Sequence, residues 1–164
     1  LNEMGATINY FQMETEKKYH IANFTVSSIR LNHPNHSYAY RFSYRDKTVV
    51  YATDNEFNDQ SLDFIKSCVD FFRDADVLIF DSQYTYKESA VDKIHYGHSS
   101  ANTGIDIAIK SNIKKLVFFH HEPTYRDKKL FDFYTREIVK YRNTVAKSLA
   151  VDVVAAYEGL VIEL

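Results

Sequence analysis

Apolar and polar positions alternate through the first third of the chain and gather into short blocks afterwards, and this change of rhythm separates two kinds of predicted element. Residues 6–11 and 20–31, rich in Ile, Val, Tyr, Phe and Thr, read as strands. Residues 37–45 and 47–53 alternate as a hairpin turning at Arg45-Asp46-Lys47, without the glycine that such turns favour. Leu62, Ile65, Val69 and Phe72 recur at helical spacing, and Asp76-Val-Leu-Ile-Phe-Asp81 then reads as a buried strand. A helix is predicted over 101–111, capped by Ser99 or Ser100 and turning Ile105, Ala108 and Ile109 inward. Residues 115–119 are a further apolar strand. A long helix follows over 128–150, with Leu130, Tyr134, Ile138, Tyr141, Val145 and Leu149 on one face, and short strands at 152–156 and 159–163 complete the order. Strands first and strand–helix alternation afterwards define an α/β (α+β) chain, a mixed β-sheet with helices on one face.

Composition narrows the class without changing it. A chain of 164 residues is long enough for one domain with a substantial core. With 13 Tyr and 12 Phe against 4 Gly and 2 Pro, it has the makings of a globular fold and not of a disordered segment. The net charge of −2, with acids and bases interspersed, lends nucleic-acid binding no support. Cys68 is the one cysteine and has no intramolecular partner, which suits a reducing cytoplasm. No stretch approaches the roughly 18 apolar residues of a membrane span, so no membrane association is expected.

Three apolar runs end in a potential metal ligand: Leu31-Asn-His33-Pro, Val49-Val-Tyr-Ala-Thr-Asp54 and Leu116-Val-Phe-Phe-His120-His121. Singly, each has a plain reading. Asp54 is a turn or cap residue, His33 an extended loop residue before Pro34, and His120 a buried histidine with one hydrogen bond. Together, two imidazoles and a carboxylate at strand ends suit a divalent ion such as zinc, or manganese or iron. Tyr84-Thr-Tyr86 reads as packing or as a nucleobase platform, and Arg126-Asp-Lys128-Lys129 as a solvated face.

The order LNHP, YRF, VVYATD, ADVLIFD, YGHSS, LVFFHHEP and AYEGLVIEL resembles the C-terminal half of metallo-β-lactamase-fold metal-dependent hydrolases, in the branch of phosphodiesterases and tRNA 3′-end-processing endonucleases. The resemblance runs over residues 20–164. It implies half of a four-layered αββα sandwich, with His33, Asp54 and His120 as metal ligands and Asp54 bridging two ions. His120 matches the last ligand better than His121, because the family motif reads apolar strand, His, two residues, Pro. Gly97-His98-Ser99-Ser100 resembles the loop whose histidine assists phosphodiester cleavage, and Asp81 the acidic residue that orients it. Two features depart from the pattern. Phe80-Asp81-Ser82-Gln83 replaces the endonucleases' His-Glu-Ala-Thr, and the defining His-x-His-x-Asp-His cluster is nowhere in the chain. Neither His33-Pro-Asn-His36 nor His95-Tyr-Gly-His98 has its spacing.

The resemblance therefore implies the C-terminal portion of a hydrolase, 1–164 being one half of its domain. Its two divalent ions, zinc first, would cleave a small phosphodiester or nucleotide-type substrate with a metal-activated water. A missing N-terminal half, or a second copy of the chain, is the expected partner, because half a sandwich leaves one apolar sheet face uncovered. The alternatives are a non-catalytic signalling module that keeps the fold, and a hydrolase of another ester, such as a thioester or lactone.

Overall fold

A computed structural model of the chain describes residues 10–144 and 151–164. Seven strands form one sheet in sequential order, β1 (Lys18–Ile21), β2 (Phe24–Leu31), β3 (Ser37–Tyr44), β4 (Lys47–Ala52), β5 (Val77–Asp81), β6 (Lys115–Phe119) and β7 (Asp152–Ala155). The first four are an antiparallel meander, and β4 to β7 run parallel. Parallel neighbours need crossovers, which α1 (Leu62–Phe72), α2 (Ala101–Lys110) and α3 (Asp127–Thr144) supply. Ser61 and Ser100 cap α1 and α2, their hydroxyls accepting from Phe64 N–H at 3.2 Å and Thr103 N–H at 3.3 Å.

The helices bury one sheet face. Leu31, Ala39, Val50, Leu78, Phe80, Leu116 and Phe118 pack there beneath Val69 and Phe72 of α1, Ile105 and Ala108 of α2, and Phe133 and Tyr134 of α3. Alternation puts the other side chains on the opposite face. Register aligns Tyr40 with Tyr51 and Tyr51 with Ile79, and Phe42 with Val49, across successive strands. Tyr38, Tyr40, Phe42, Tyr44, Tyr51 and Phe119 of that second face are all exposed.

Gly104 lets α2 settle onto the sheet. A Cβ there would lie 2.8 Å from Phe80 Cδ1 and 3.2 Å from Phe118 Cε1, and both rings are fully buried. Gly104→Ala gains about 1 kcal/mol of helix propensity. It loses about 1–3 kcal/mol to overpacking. Thermal denaturation is expected to show a Tm lowered by a few degrees; a raised Tm would mean that the rings yield.

Three predicted elements change. The run 20–31 is two strands, because Ala22 takes a left-handed φ of 52° and the chain reverses between the paired residues Ile21 and Phe24. Asn23 was the local signal for that turn, masked by the β-rich residues around it. Of the strand predicted at 6–11, residues 6–9 lie outside the described residues, and Tyr10 and Phe11 are not in a strand. Residues 159–163 form no strand; Gly159 turns the chain at φ 86°, and Val161 stands 82% exposed. The predicted helix 128–150 is described as far as Thr144, and 145–150 lie outside the described residues.

Candidate metal centre

Strands β2, β4, β5 and β6 all point the same way, so their carboxyl ends share one edge of the sheet. Crevices outside the carboxyl ends of parallel strands are where such folds bind ligands. The edge gathers Asp54 two residues beyond β4, Asp81 ending β5, His98 in the loop before α2, and His120 directly after β6. One ligand atom from each of these four lies within 4.8 Å of the others.

Asp54 and His120 both adopt left-handed backbone conformations, each with φ 59°. Non-glycine residues hold that conformation at a cost, and such strain concentrates at functional sites. His120 Nε2 stands 3.1 Å from Asp54 Oδ1 without the alignment of a hydrogen bond, so that oxygen, shielded from solvent, has no donor. A buried carboxylate oxygen left bare beside an imidazole nitrogen has the chemistry of a cation site, and the donor set of carboxylate and imidazole fits zinc, manganese or iron.

Asp81 has the opposite character. It is fully buried and saturated. Its Oδ1 accepts from the N–H groups of Gln83 and Ser99, both at 3.2 Å. Its Oδ2 accepts from Asp54 N–H at 2.9 Å, Asn55 N–H at 3.4 Å and the His98 ring at 2.7 Å. With its lone pairs spent, Asp81 orients its neighbours and has little left to offer an ion. It also fixes the His98 tautomer: Nδ1–H donates to the carboxylate, leaving Nε2 as the ring's free nitrogen. His98 stacks on His120 with centroids 4.9 Å apart and 22° between planes. Tyr84 meets His98 edge-on at 5.7 Å, and burial first, then the Glu122 and Asp81 carboxylates, push its hydroxyl up to about 12. That phenol stays protonated at neutral pH.

His33 lies alongside, its ring 5.2 Å from that of His98, but it is not one of the four converging residues. His121 faces another way. Its Nδ1 is 2.5 Å from the Tyr134 hydroxyl and its Nε2 donates to Ala156 C=O at 3.0 Å, so both nitrogens are occupied. Asn55 and Glu56 are both buried, and nothing local in the sequence announces that they are interior.

No protein-family model matches the chain. It is 25% identical over 170 aligned positions to ribonuclease Z of Picrophilus torridus, covering 73% of this chain and 52% of that protein. The structure resembles the metallo-β-lactamase fold protein YhfI of Bacillus subtilis, with a TM-score of 0.65 at 21% identity over 92% of this chain and 54% of that one. It also resembles Zn²⁺-bound PqqB of Methylobacterium extorquens, with a TM-score of 0.65 at 15% identity over 93% and 55%. The fold is therefore that of the metallo-β-lactamases. The chain spans about half the length of each of these proteins.

Among the described residues, no helix is long and apolar enough to cross a membrane.

Proposed function

We propose that the protein carrying this chain is a metal-dependent hydrolase of phosphodiesters. The observation that carries the reading is the convergence of Asp54, His98 and His120 around the unpartnered Asp54 Oδ1. The likeness to a ribonuclease Z supports a phosphodiester substrate. Asp54 and His120 would hold the ion, with His33 joining them from the end of β2. A divalent ion bound there supplies Lewis acidity toward a phosphoryl oxygen and toward water. His98, held through Nδ1 by Asp81, would act in its imidazolium form: Nε2 takes up a proton from solvent and gives it to the departing oxygen, leaving the neutral Nδ1–H ring. A two-ion site would need further ligands, which we place in an N-terminal segment of the same protein or in a second copy.

The test is the purified protein that carries this chain, assayed with bis(p-nitrophenyl) phosphate and with RNA, before and after chelation. Turnover that is lost to chelator and restored by zinc or manganese is expected. A folded, metal-loaded protein that leaves both substrates intact would sink the reading, and cleavage of a lactone or thioester instead would move it to another ester.

A further inference from the structure

Glu56 lies two residues past Asp54, is 1% exposed, and spends both carboxylate oxygens on one loop. Oε1 accepts from His95 N–H at 2.8 Å and Oε2 from Gly97 N–H at 2.9 Å. Burying a carboxylate is costly unless its oxygens are satisfied, and here two backbone donors two residues apart satisfy them. The loop turns through left-handed backbone at both donors, φ 69° at His95, where a side chain makes it costly, and φ 90° at Gly97, where glycine takes it freely. The N–H groups of His95 and Gly97 converge on the Glu56 carboxylate, while that of Tyr96 between them turns to Lys93 C=O at 3.4 Å.

The main chain of Glu56 ties down a second segment. Its N–H donates to Asn32 C=O at 3.0 Å, and Asn32 Nδ2 donates to Glu56 C=O at 3.3 Å. Asn32 precedes His33, and Gly97 precedes His98. These two segments press together where a Cβ on Gly97 would fall 2.3 Å from His33 Cδ2 and 2.7 Å from Pro34 Cδ. One buried residue beside Asp54 thus holds both the His33 turn and the loop that delivers His98.

We propose that Glu56 is a positioning residue that sets where His98 and His33 stand relative to the Asp54–His120 pair. It holds the 95–97 loop by its side chain and the 32–33 turn by its main chain. The kinetic consequence rests on the hydrolase reading above; the structural one does not. A carboxylate that merely filled space would leave the loop unchanged when replaced by its isosteric amide. Glu56→Gln instead turns one acceptor into a donor facing an N–H, and a buried donor left without an acceptor loosens the loop.

The experiment uses the full protein and two readouts. In the unsubstituted protein, scalar couplings across hydrogen bonds should connect the amide nitrogens of His95 and Gly97 to the Glu56 side-chain carboxyl carbon; absence of both overturns the proposal, whatever any variant does. In Glu56→Gln, amide exchange at residues 95–97 should accelerate by about tenfold or more while β5 keeps its protection. Turnover should drop by about 10²-fold in kcat with KM little changed, as expected for misplacement by about an ångström. Unaltered exchange at the loop, loss of protection spread evenly over the sheet, or a loosened loop with unchanged kcat each overturns it. If the couplings and the exchange behave as expected and no phosphodiester is hydrolysed by the unsubstituted protein, the proposed function fails and the hold on the loop stands.

Discussion

Replacing His98 with alanine (His98→Ala) is expected to slow phosphodiester hydrolysis by about 10²–10⁴-fold, the range of a lost general acid. Metal content should stay close to that of the unsubstituted protein. The separation follows from the hydrogen bonds. His98 is anchored to Asp81 at 2.7 Å through Nδ1, whereas His120 Nε2 and the unpartnered Asp54 Oδ1 offer their lone pairs to each other's space. Asp54→Ala is therefore expected to lose metal and turnover together. Asp81→Asn keeps the shape but puts an NH₂ among N–H donors, and should fall between the two. Metal stoichiometry by mass spectrometry, measured beside kcat on the same preparations, separates these cases. Equal loss of metal and activity in His98→Ala would make His98 a ligand.

Produced by itself, the 164-residue chain is expected to self-associate and to turn over no substrate. The sheet face opposite the helices carries Tyr38, Tyr40, Phe42, Tyr44, Tyr51 and Phe119, each 36–41% exposed. These aromatics lie on β3, β4 and β6; Tyr40 pairs with Tyr51, and the rings form contacts such as Tyr40–Phe42 at 6.3 Å and Tyr51–Phe119 at 6.1 Å. Contiguous apolar surface of this kind marks an interface. Each Å² removed from water is worth about 25 cal/mol. We propose that an N-terminal half of the same protein, or a second copy of this chain, covers the face. Light scattering on the isolated chain should report a dimer or larger species, and Tyr40→Lys together with Phe42→Lys should return it to monomer without unfolding. Robust phosphodiester turnover by a verified monomer would mean that the chemistry lies with other residues.

Much of the site was legible because its residues sit where local patterns end. An apolar run stops where the chain leaves the sheet, so Asp54 and His120 could be placed at strand ends from Val49-Val-Tyr-Ala-Thr and Leu116-Val-Phe-Phe alone. The capping serines carried similar local signals, the Gly97-His98-Ser99 loop was singled out by the family resemblance, and a mixed sheet with its helices on one face followed from strand order. The split of β1 from β2 was not legible, since one Asn amid β-formers does not outweigh their composition. His33 shows the limit of such reading: it ends a strand on the right edge, yet the fold brings its ring to His98 and leaves it outside the four converging residues.

Which lone pairs remain free was decided only by tertiary contact. Asp81 and Asp54 are both acids at the ends of short apolar runs, and local pattern by itself does not tell them apart. Asp81 is saturated by donors from residues 27 positions before it and 18 after it, whereas Asp54 is left with a bare oxygen. Adjacent histidines were divided in the same manner: Tyr134 and the Ala156 carbonyl take both nitrogens of His121, leaving His120 at the site. Glu56 is the extreme case, a charged residue whose interior place depends on backbone N–H groups about forty residues away. Local sequence fixes where a strand ends and which side chain stands there. Hydrogen-bond satisfaction is settled by partners brought together only when the chain folds.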